Sequence, residues 1–403
     1  MIFRALAKPY NTISSFQLNA VAYVIVVTGL YLLSSHAWAS KFKCAGQRMT
    51  SLEMLNSAIK CAVVIDDTLV FPRNIATRDD EIWLVDKGSN LFTNGQKKGA
   101  LYRYTESDGA YKRTQVLAKL DDPNDIAIRR HANGDDWVYF TTRDKVQRFK
   151  LNSAGSPSRL ETLIAELPTD GWHKLLAIHI TQDALFVTVP SITDHCEVTD
   201  LPELVHYPCL EEQEGTAEIR QYDFAGDKLG LEYTLVAQGL RDALAVQINR
   251  SKTRLVVADN GWDQIDLRGT GLEYSNTPHD EINVVDLSKN THFGWPYCFD
   301  KNSVTPPYQR FIDSCEAYQP PWRLLPAHSA PLDMLYLENE LLVNLHGNSD
   351  AGGKTIAFKL NPDGLPISQP YTKIEWRSDD NINARPFGLA TTHDKQLLSL
   401  IHI

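Results

Sequence analysis

The sequence predicts an all-β fold, a six-bladed β-propeller with disulfide-tied loop insertions. Two observations carry this. A strand–turn–strand pattern recurs six times, mostly about 50 residues apart, as repeat architectures require. Helical periodicity is weak outside an N-terminal apolar run and a short stretch at Leu52–Cys61. A single sheet cannot bury both of its faces alone, so such units must stack around an axis. A pair of β-sandwiches also contains many short strands, but the regular spacing favours the propeller.

The N-terminus reads as a leader. Arg4 and Lys8 precede an apolar run from Ala20 to Leu33, and Ala37-Trp38-Ala39 offers a small-residue cleavage site before Ser40. The run is shorter than the ~20 residues that span a bilayer. The expected division is therefore a signal peptide, 1–39, and one propeller, 40–403, placed in the periplasm or secreted. An uncleaved anchor is the alternative.

The first copy is Pro72-Arg73-Asn74-Ile75-Ala76 followed by Ile82-Trp83-Leu84-Val85. The second is Pro123-Asn124-Asp125-Ile126-Ala127-Ile128 with Trp137-Val138-Tyr139-Phe140, and the third Leu175-Leu176-Ala177-Ile178 with Ala184-Leu185-Phe186-Val187. The fourth pairs Ala243-Leu244-Ala245-Val246 with Arg254-Leu255-Val256-Val257-Ala258. The fifth pairs Ala330–Leu335 with Leu341-Leu342-Val343, and the sixth Arg385–Ala390 with Leu397–Leu400. Each copy is read as the inner strand pair of a four-stranded blade. The chain stops inside the sixth copy, so the segment 60–70 is expected to complete that blade and close the ring.

The chain carries 40 Lys+Arg against 50 Asp+Glu, a net charge of −10. That balance argues against a binder of nucleic-acid phosphates. The 43% hydrophobic and 22% charged composition excludes disorder and a multi-span membrane protein. All six cysteines follow the leader and form sequence-local couples, Cys44/Cys61, Cys196/Cys209 and Cys298/Cys315. Local pairing is the simplest of the possible connectivities. With no CxxC, zinc-ribbon, thioredoxin and c-type haem sites lack support. The latter two couples lie in long insertions, 190–215 and 262–325, expected to rim the propeller mouth.

Propellers bind ligands on the axis, so the residues opening each inner strand matter most. Reading down the copies gives Arg73 and Asn74, Asn124 and Asp125, His173 and Lys174, Arg241 and Asp242, His328 and Ser329, and Arg385. Four of the six carry Arg or Lys, a cationic ring on an acidic protein, which points to an anionic ligand.

Three motifs, Asp259-Asn260-Gly261-Trp262, His279-Asp280-Glu281-Ile282-Asn283 and Phe293-Gly294-Trp295-Pro296, resemble the glucose/sorbosone dehydrogenases. These are the soluble sugar dehydrogenases that depend on pyrroloquinoline quinone (PQQ). Pro326–Pro331, Leu342–Gly347 and Arg385–Ala390 extend the resemblance over roughly residues 70–403. It implies an exported oxidoreductase using PQQ and Ca²⁺, passing a hydride from a sugar or related aldehyde to the quinone and then to an electron acceptor the sequence does not reveal. A homodimer is compatible.

By position, the resemblance makes His173 the general base and Arg241 a cofactor and catalytic contact. Asp242, His328, Lys354 and Arg385 fall at cofactor positions. The backbone carbonyls of Gly261 and Trp262 match calcium ligands, which suits a hard cation. Asp280 and Glu281 either form a second calcium site or fix the long loop through backbone amides. Two features depart from the pattern. His173, within Gly171-Trp172-His173-Lys174, is displaced by one or two positions, and Asp242 stands where Asn is usual. They keep open a non-catalytic sugar-binding propeller. A Ca²⁺-dependent lactonase-type hydrolase, drawing on Asn124, Asp125, Asp242 and Asp259, is a further alternative.

Overall fold

A computed structural model describes residues 61–403, except 90–97, 132–134, 153–154, 199–200, 264–275, 348–350, 377–383 and 403. It also describes the backbone of Ile2–Leu6, Lys43–Cys44 and Gln47–Arg48. The expected cleavage site, most of the segment read as helical at 52–61 and the Cys44/Cys61 couple lie outside the described residues or side chains.

The protein is all-β and propeller-like. Its first sheet runs Pro72–Arg78, Glu81–Asp86, Gly99–Ser107 and Ala110–Leu120, each strand antiparallel to the one before. The second repeats this order with Ile126–Arg129, Asp136–Thr142, Lys145–Leu151 and Glu161–Ile164. The fourth uses Ala243–Ile248, Arg254–Asp259, His279–Asp286 and Arg323–Ala327. The fifth uses Pro331–Leu337, Glu340–Leu345, Lys354–Lys359 and Tyr371–Glu375. The third is larger. Ile178–Ile180, Ala184–Val189, Glu218–Ala225 and Thr234–Gln238 are joined by Thr291–His292, which runs parallel to Thr234–Gln238. The first strand of each sheet lies against that of the next, and Arg385–Thr391 lies against Pro72–Arg78, so the sheets follow one another around an axis.

The last sheet departs from expectation. Cys61–Asp66 does join Arg385–Thr391 and Leu397–His402, but Ile2–Leu6 runs between Leu397–His402 and Cys61–Asp66, antiparallel to both. A segment read from the sequence as part of a leader thus occupies the third position. The open hydrogen-bonding edge of Leu397–His402 is what it pairs with.

Why the repeat is legible follows from the packing. Every residue of Asp136–Thr142 and Ala184–Val189 is buried, because both faces of each second strand meet a neighbouring sheet. Such strands read as continuous apolar runs, like any strand covered on both sides. Separate clusters fill the wedges between sheets. Trp83, Leu101, Val138 and Phe149 pack between the first and second, and Phe186, Ile219, Val246 and Val257 between the third and fourth. Each fully buried large apolar side chain contributes roughly 1.5–3 kcal/mol. Near the axis, carboxylates latch sheet to sheet. Asp125 accepts the Ile178 N–H at 2.7 Å, and Asp333 accepts the Leu389 N–H at 2.6 Å.

Disulfides Cys196–Cys209 and Cys298–Cys315 tie the two insertions. The insertions pack on one another through an aromatic cluster of Trp295, Tyr297 and Tyr308. Tyr297 Oη donates to Glu212 Oε2 (2.9 Å) and accepts the Cys209 N–H (2.9 Å), and Tyr308 Oη donates to the His195 carbonyl (3.1 Å).

Candidate active site

Six of the residues that open the inner strands, Arg73, His173, Arg241, Asp242, His328 and Arg385, converge on one cavity of about 980 Å³, whereas Asn74, Asn124, Asp125, Lys174 and Ser329 are not in its lining. Of the residues singled out from sequence, His173, Arg241, Asp242, Gly261, Asp280, His328 and Arg385 line it, together with Arg73 and His346. Lys354, Trp262 and Glu281 are not in its lining. Lys354 opens the third strand of the fifth sheet, opposite Leu345. The Trp262 side chain is buried against His195, ring centroids 4.7 Å apart, and Glu281 sits across the ladder from Asp259. Of the acids named for a hydrolase, only Asp242 reaches this cavity.

One wall belongs to the fourth sheet. Asp259, the last residue of its strand, accepts the N–H groups of Arg241 (3.0 Å) and Asp242 (2.8 Å). Asn260 returns two bonds to the Asp242 carbonyl, from its backbone N–H (3.3 Å) and from Nδ2 (2.8 Å). These bonds fix the Arg241-Asp242 turn. The Gly261 N–H donates to Asp280 Oδ1 at 2.8 Å, while Asp280 Oδ2 accepts Ser329 Oγ (2.9 Å) and the Ala330 N–H (2.7 Å). Asp280 thus bonds backbone amides on either side of the long insertion, at Gly261 and Ala330. A Cβ on Gly261 would stand 2.9 Å from the His279 carbonyl, so the close approach calls for glycine.

Arg241 is fully engaged. It bonds the Asp194 carboxylate and carbonyl, the Asn260 carbonyl and the Asp263 carboxylate (3.1 Å). Burial disfavours its charge, but Asp194, Asp263 and Asp242 outweigh that and hold it more firmly protonated than usual. Asp194 gains correspondingly: burial opposes its ionisation, yet Arg241 keeps it well below the ordinary carboxylate range. Sequence reasoning missed Asp194. Its only signal was its place beside Cys196, in an insertion read as a tether. The Trp295 Nε1–H holds the Asp194 carbonyl at 3.0 Å, so this tryptophan packs and positions.

The opposite wall is cationic. Arg73 is buried, donates from Nε to Asn124 Oδ1 at 3.0 Å, and stacks its guanidinium 3.9 Å over the Phe387 ring. Arg385 donates from Nε to the His346 carbonyl at 2.8 Å. Neither has a carboxylate partner within 4.0 Å among the described residues. Burial accordingly pushes the Arg73 guanidinium down to about 9 and lowers that of Arg385.

Histidines complete the lining. His173 Nδ1 lies 3.0 Å from the Ser191 carbonyl and 2.9 Å from Ser191 Oγ, whose own proton goes to the Thr193 carbonyl (2.7 Å). A carbonyl only accepts, so Nδ1 carries the proton and Nε2 the lone pair. Burial, followed by the Arg241 charge, pushes this imidazole down to about 3 and keeps it neutral. The displacement seen in sequence does not turn it away, because residues before Ile178 form an irregular approach rather than a strand. His279, also in the lining, sets its Nδ1 2.9 Å from Asp300 Oδ2 and its backbone N–H 2.8 Å from Asp300 Oδ1. Each disulfide-tied insertion thus delivers a partner to a cavity residue, Ser191 and Asp194 from one and Asp300 from the other. Trp172, 54% exposed, stands beside His173 with its N–H on the Ile192 carbonyl (2.7 Å).

Comparison with known proteins places the fold and the family. A calcium structure of a Trichoderma reesei carbohydrate-active enzyme of family AA12 shares the fold, with TM-score 0.67 and 16% identity over 90% of this chain and 98% of that one. The soluble aldose sugar dehydrogenase of Escherichia coli, in its apo form, aligns at TM-score 0.54 and 12% identity over 87% and 99%. An uncharacterised protein of Borreliella burgdorferi is 31% identical over 179 residues; the match spans 41% of this chain and 45% of that relative's length. The profile of the family described as TrAA12-like matches residues 57–397, and the chain belongs to that family.

Proposed function

We propose that this chain is an exported, PQQ-dependent oxidoreductase acting with Ca²⁺ on a sugar or related aldehyde, built on a six-bladed propeller whose third blade carries the extra strands. The observation that carries the reading is a pair of arginines, the buried Arg73 and the half-buried Arg385, facing one cavity without carboxylate partners among the described residues. A buried guanidinium is costly unless paired, so the cavity is built for an anion. Similarity to sugar dehydrogenases selects the class of anion, a flat polycarboxylate quinone. The two insertion disulfides support an oxidising compartment. Among the described residues no helix is long and apolar enough to cross a membrane.

The residues present fit both groups. Arg73 and Arg385 suit carboxylates. Asp242 Oδ1 and Asn260 Oδ1, buried and without hydrogen-bond partners among the described residues, suit a hard cation, joined by main-chain carbonyls at Gly261 and Trp262. Bound there, PQQ supplies a hydride-accepting carbonyl and Ca²⁺ polarises it. The protein's own part is to hold a sugar hydroxyl at His173 Nε2, which takes the hydroxyl proton. The Nδ1 bonds to Ser191 keep that nitrogen unprotonated and oriented. Burial keeps the imidazole neutral, so Nε2 is available to accept that proton.

The test is direct. With PQQ and Ca²⁺ added, the full-length protein should reduce a dye with some member of a panel of aldoses and aldehydes. His173→Gln should lower kcat by ~10²–10⁴ while leaving quinone binding intact. Tight quinone binding without turnover of any sugar selects the binding propeller instead. Lactone cleavage with no quinone affinity selects the hydrolase.

A further inference from the structure

We propose that His279, oriented by Asp300, is a second sugar-contacting residue of this cavity. Its Nε2 accepts a hydrogen bond from a hydroxyl other than the one that meets His173, and so selects neutral sugars by the position of that hydroxyl. The inference rests on the redox reading above and adds to it a residue that sets substrate choice.

The imidazole is fixed from two sides. His279 opens the third strand of the fourth sheet, opposite Ala327. Asp300 accepts both of its donors, the backbone N–H on Oδ1 at 2.8 Å and Nδ1–H on Oδ2 at 2.9 Å. A carboxylate that grips backbone and ring together sets the tautomer and the ring's direction. Asp300 comes from the hairpin Cys298–Phe299 and Ser303–Val304, which the Cys298–Cys315 disulfide ties down. Its φ of +50° belongs to the hairpin turn, where Asp is tolerated. Turn chemistry accounts for the residue type, but not for both oxygens meeting one residue 21 positions away. On the other side the His279 carbonyl abuts Gly261, where a Cβ would come within 2.9 Å.

This leaves one nitrogen for the cavity. With Nδ1–H given to Asp300, Nε2 carries the lone pair of the neutral ring. His279 lines the cavity, its side chain is 35% exposed, and Nε2 has no hydrogen-bond partner among the described residues. Asp300 is outside the lining, so its carboxylate stands behind the ring. His346 differs: it is buried, and Arg385 bonds its carbonyl, so it belongs to the arginine wall.

The surroundings select the ligand. Asp242, Asp263 and Asp280 also line the cavity on this side, and Asp300 lies behind His279. That many carboxylates repel an anion. An unprotonated nitrogen takes a donor. A neutral molecule rich in hydroxyls answers both conditions, and the reacting hydroxyl is already assigned to His173. An acceptor held at a fixed place discriminates against an analogue that lacks the matching hydroxyl, because the acceptor is then left unpaired.

The experiment follows dye reduction by the full-length protein with PQQ and Ca²⁺. The substrates are the aldose of the panel above that the wild type oxidises fastest and the monodeoxy forms of that aldose. In the wild type, one form altered away from the reacting carbon should lose about tenfold in kcat/KM, the size of one neutral hydrogen bond. His279→Ala should lose about tenfold on the parent sugar, mainly through KM, and nothing further on that deoxy form. His279→Gln, whose amide oxygen is an acceptor, should recover part of the loss. Asp300→Ala, which releases the ring, should fall between His279→Ala and the wild type. A merely structural role would lower every sugar by one factor and leave the deoxy discrimination intact. That result overturns the proposal, as do wild-type kinetics in His279→Ala or a wild type that tolerates every deoxy form. In each of these cases the wild type still oxidises sugars and the redox reading stands. A wild type that takes up no PQQ, or oxidises no sugar, overturns the redox reading and this inference together.

Discussion

The two walls of the cavity carry the same residue type in opposite states. On the fourth-sheet wall Arg241 is gripped by Asp194 and Asp263. On the facing wall Arg73 meets the Asn124 amide oxygen and the Phe387 and Phe71 rings, Arg385 meets the His346 carbonyl, and neither has a carboxylate within ion-pair distance among the described residues. A sequence alignment by position makes all three look alike, as cations waiting for one anion. The structure divides them. Arg241 is bonded to carboxylates of the insertion, whereas Arg73 and Arg385 have no carboxylate partner among the described residues, which is why we propose that this pair holds the ligand.

The largest way to break that contrast is to remove Asp194. Asp194→Ala strands a buried guanidinium and should destabilise the protein by ~3–5 kcal/mol, read by denaturant unfolding. The matching change across the cavity should behave in reverse. Arg73→Gln or Arg385→Gln removes a cation with no carboxylate partner, so stability should hold or rise. Affinity for PQQ should instead fall about 10–100-fold for each, as expected when a charged hydrogen bond worth ~1.5–3 kcal/mol is lost. Equal destabilisation by all three substitutions would erase the distinction between the walls.

Asp280→Ala sharpens the comparison at a smaller scale. It deprives three donors, at Gly261, Ser329 and Ala330, of their acceptor and should cost about 1–3 kcal/mol. It should also loosen the Gly261 loop, seen as faster amide exchange there. Glu281→Gln probes the acid density behind the same wall. Burial, and then Asp259, push the Glu281 carboxyl well above its ordinary value. A raised pKa in the folded state means that stability is present at low pH and is lost as pH rises through the folded value. The wild type should therefore lose part of its stability as pH rises from below the ordinary glutamate value, about 4.3, towards the folded one. Glu281→Gln should match it at the acid end of that range and exceed it above.

The sequence made the strand pairs legible because each second strand is covered on both faces, leaving uninterrupted runs such as Trp137–Phe140 and Leu255–Ala258. It also showed which residues open the inner strands, and most of these do meet in one cavity. It could not reveal which arginines are paired. Asp194 and Asp300 approach from insertions 47 and 21 residues away from their partners Arg241 and His279, and no local spacing encodes that. Nor could it separate Asp280, saturated by three donors, from Asp242, which keeps an oxygen free; both are simply acids near the axis. The strand Ile2–Leu6 was hidden for a different reason: hydrophobic patterning marked the same stretch as the start of a leader.

The central claim is that Arg73 and Arg385 hold a polyanionic quinone in this cavity. Its most direct test is equilibrium titration of PQQ into the calcium-loaded wild type and into Arg73→Gln, Arg385→Gln and the double variant, followed by quenching of tryptophan fluorescence. The account predicts saturable binding at one site by the wild type, a weaker Kd in each single variant, and a further loss in the double. Wild-type affinity in the double variant, or no binding by the wild type, would contradict it.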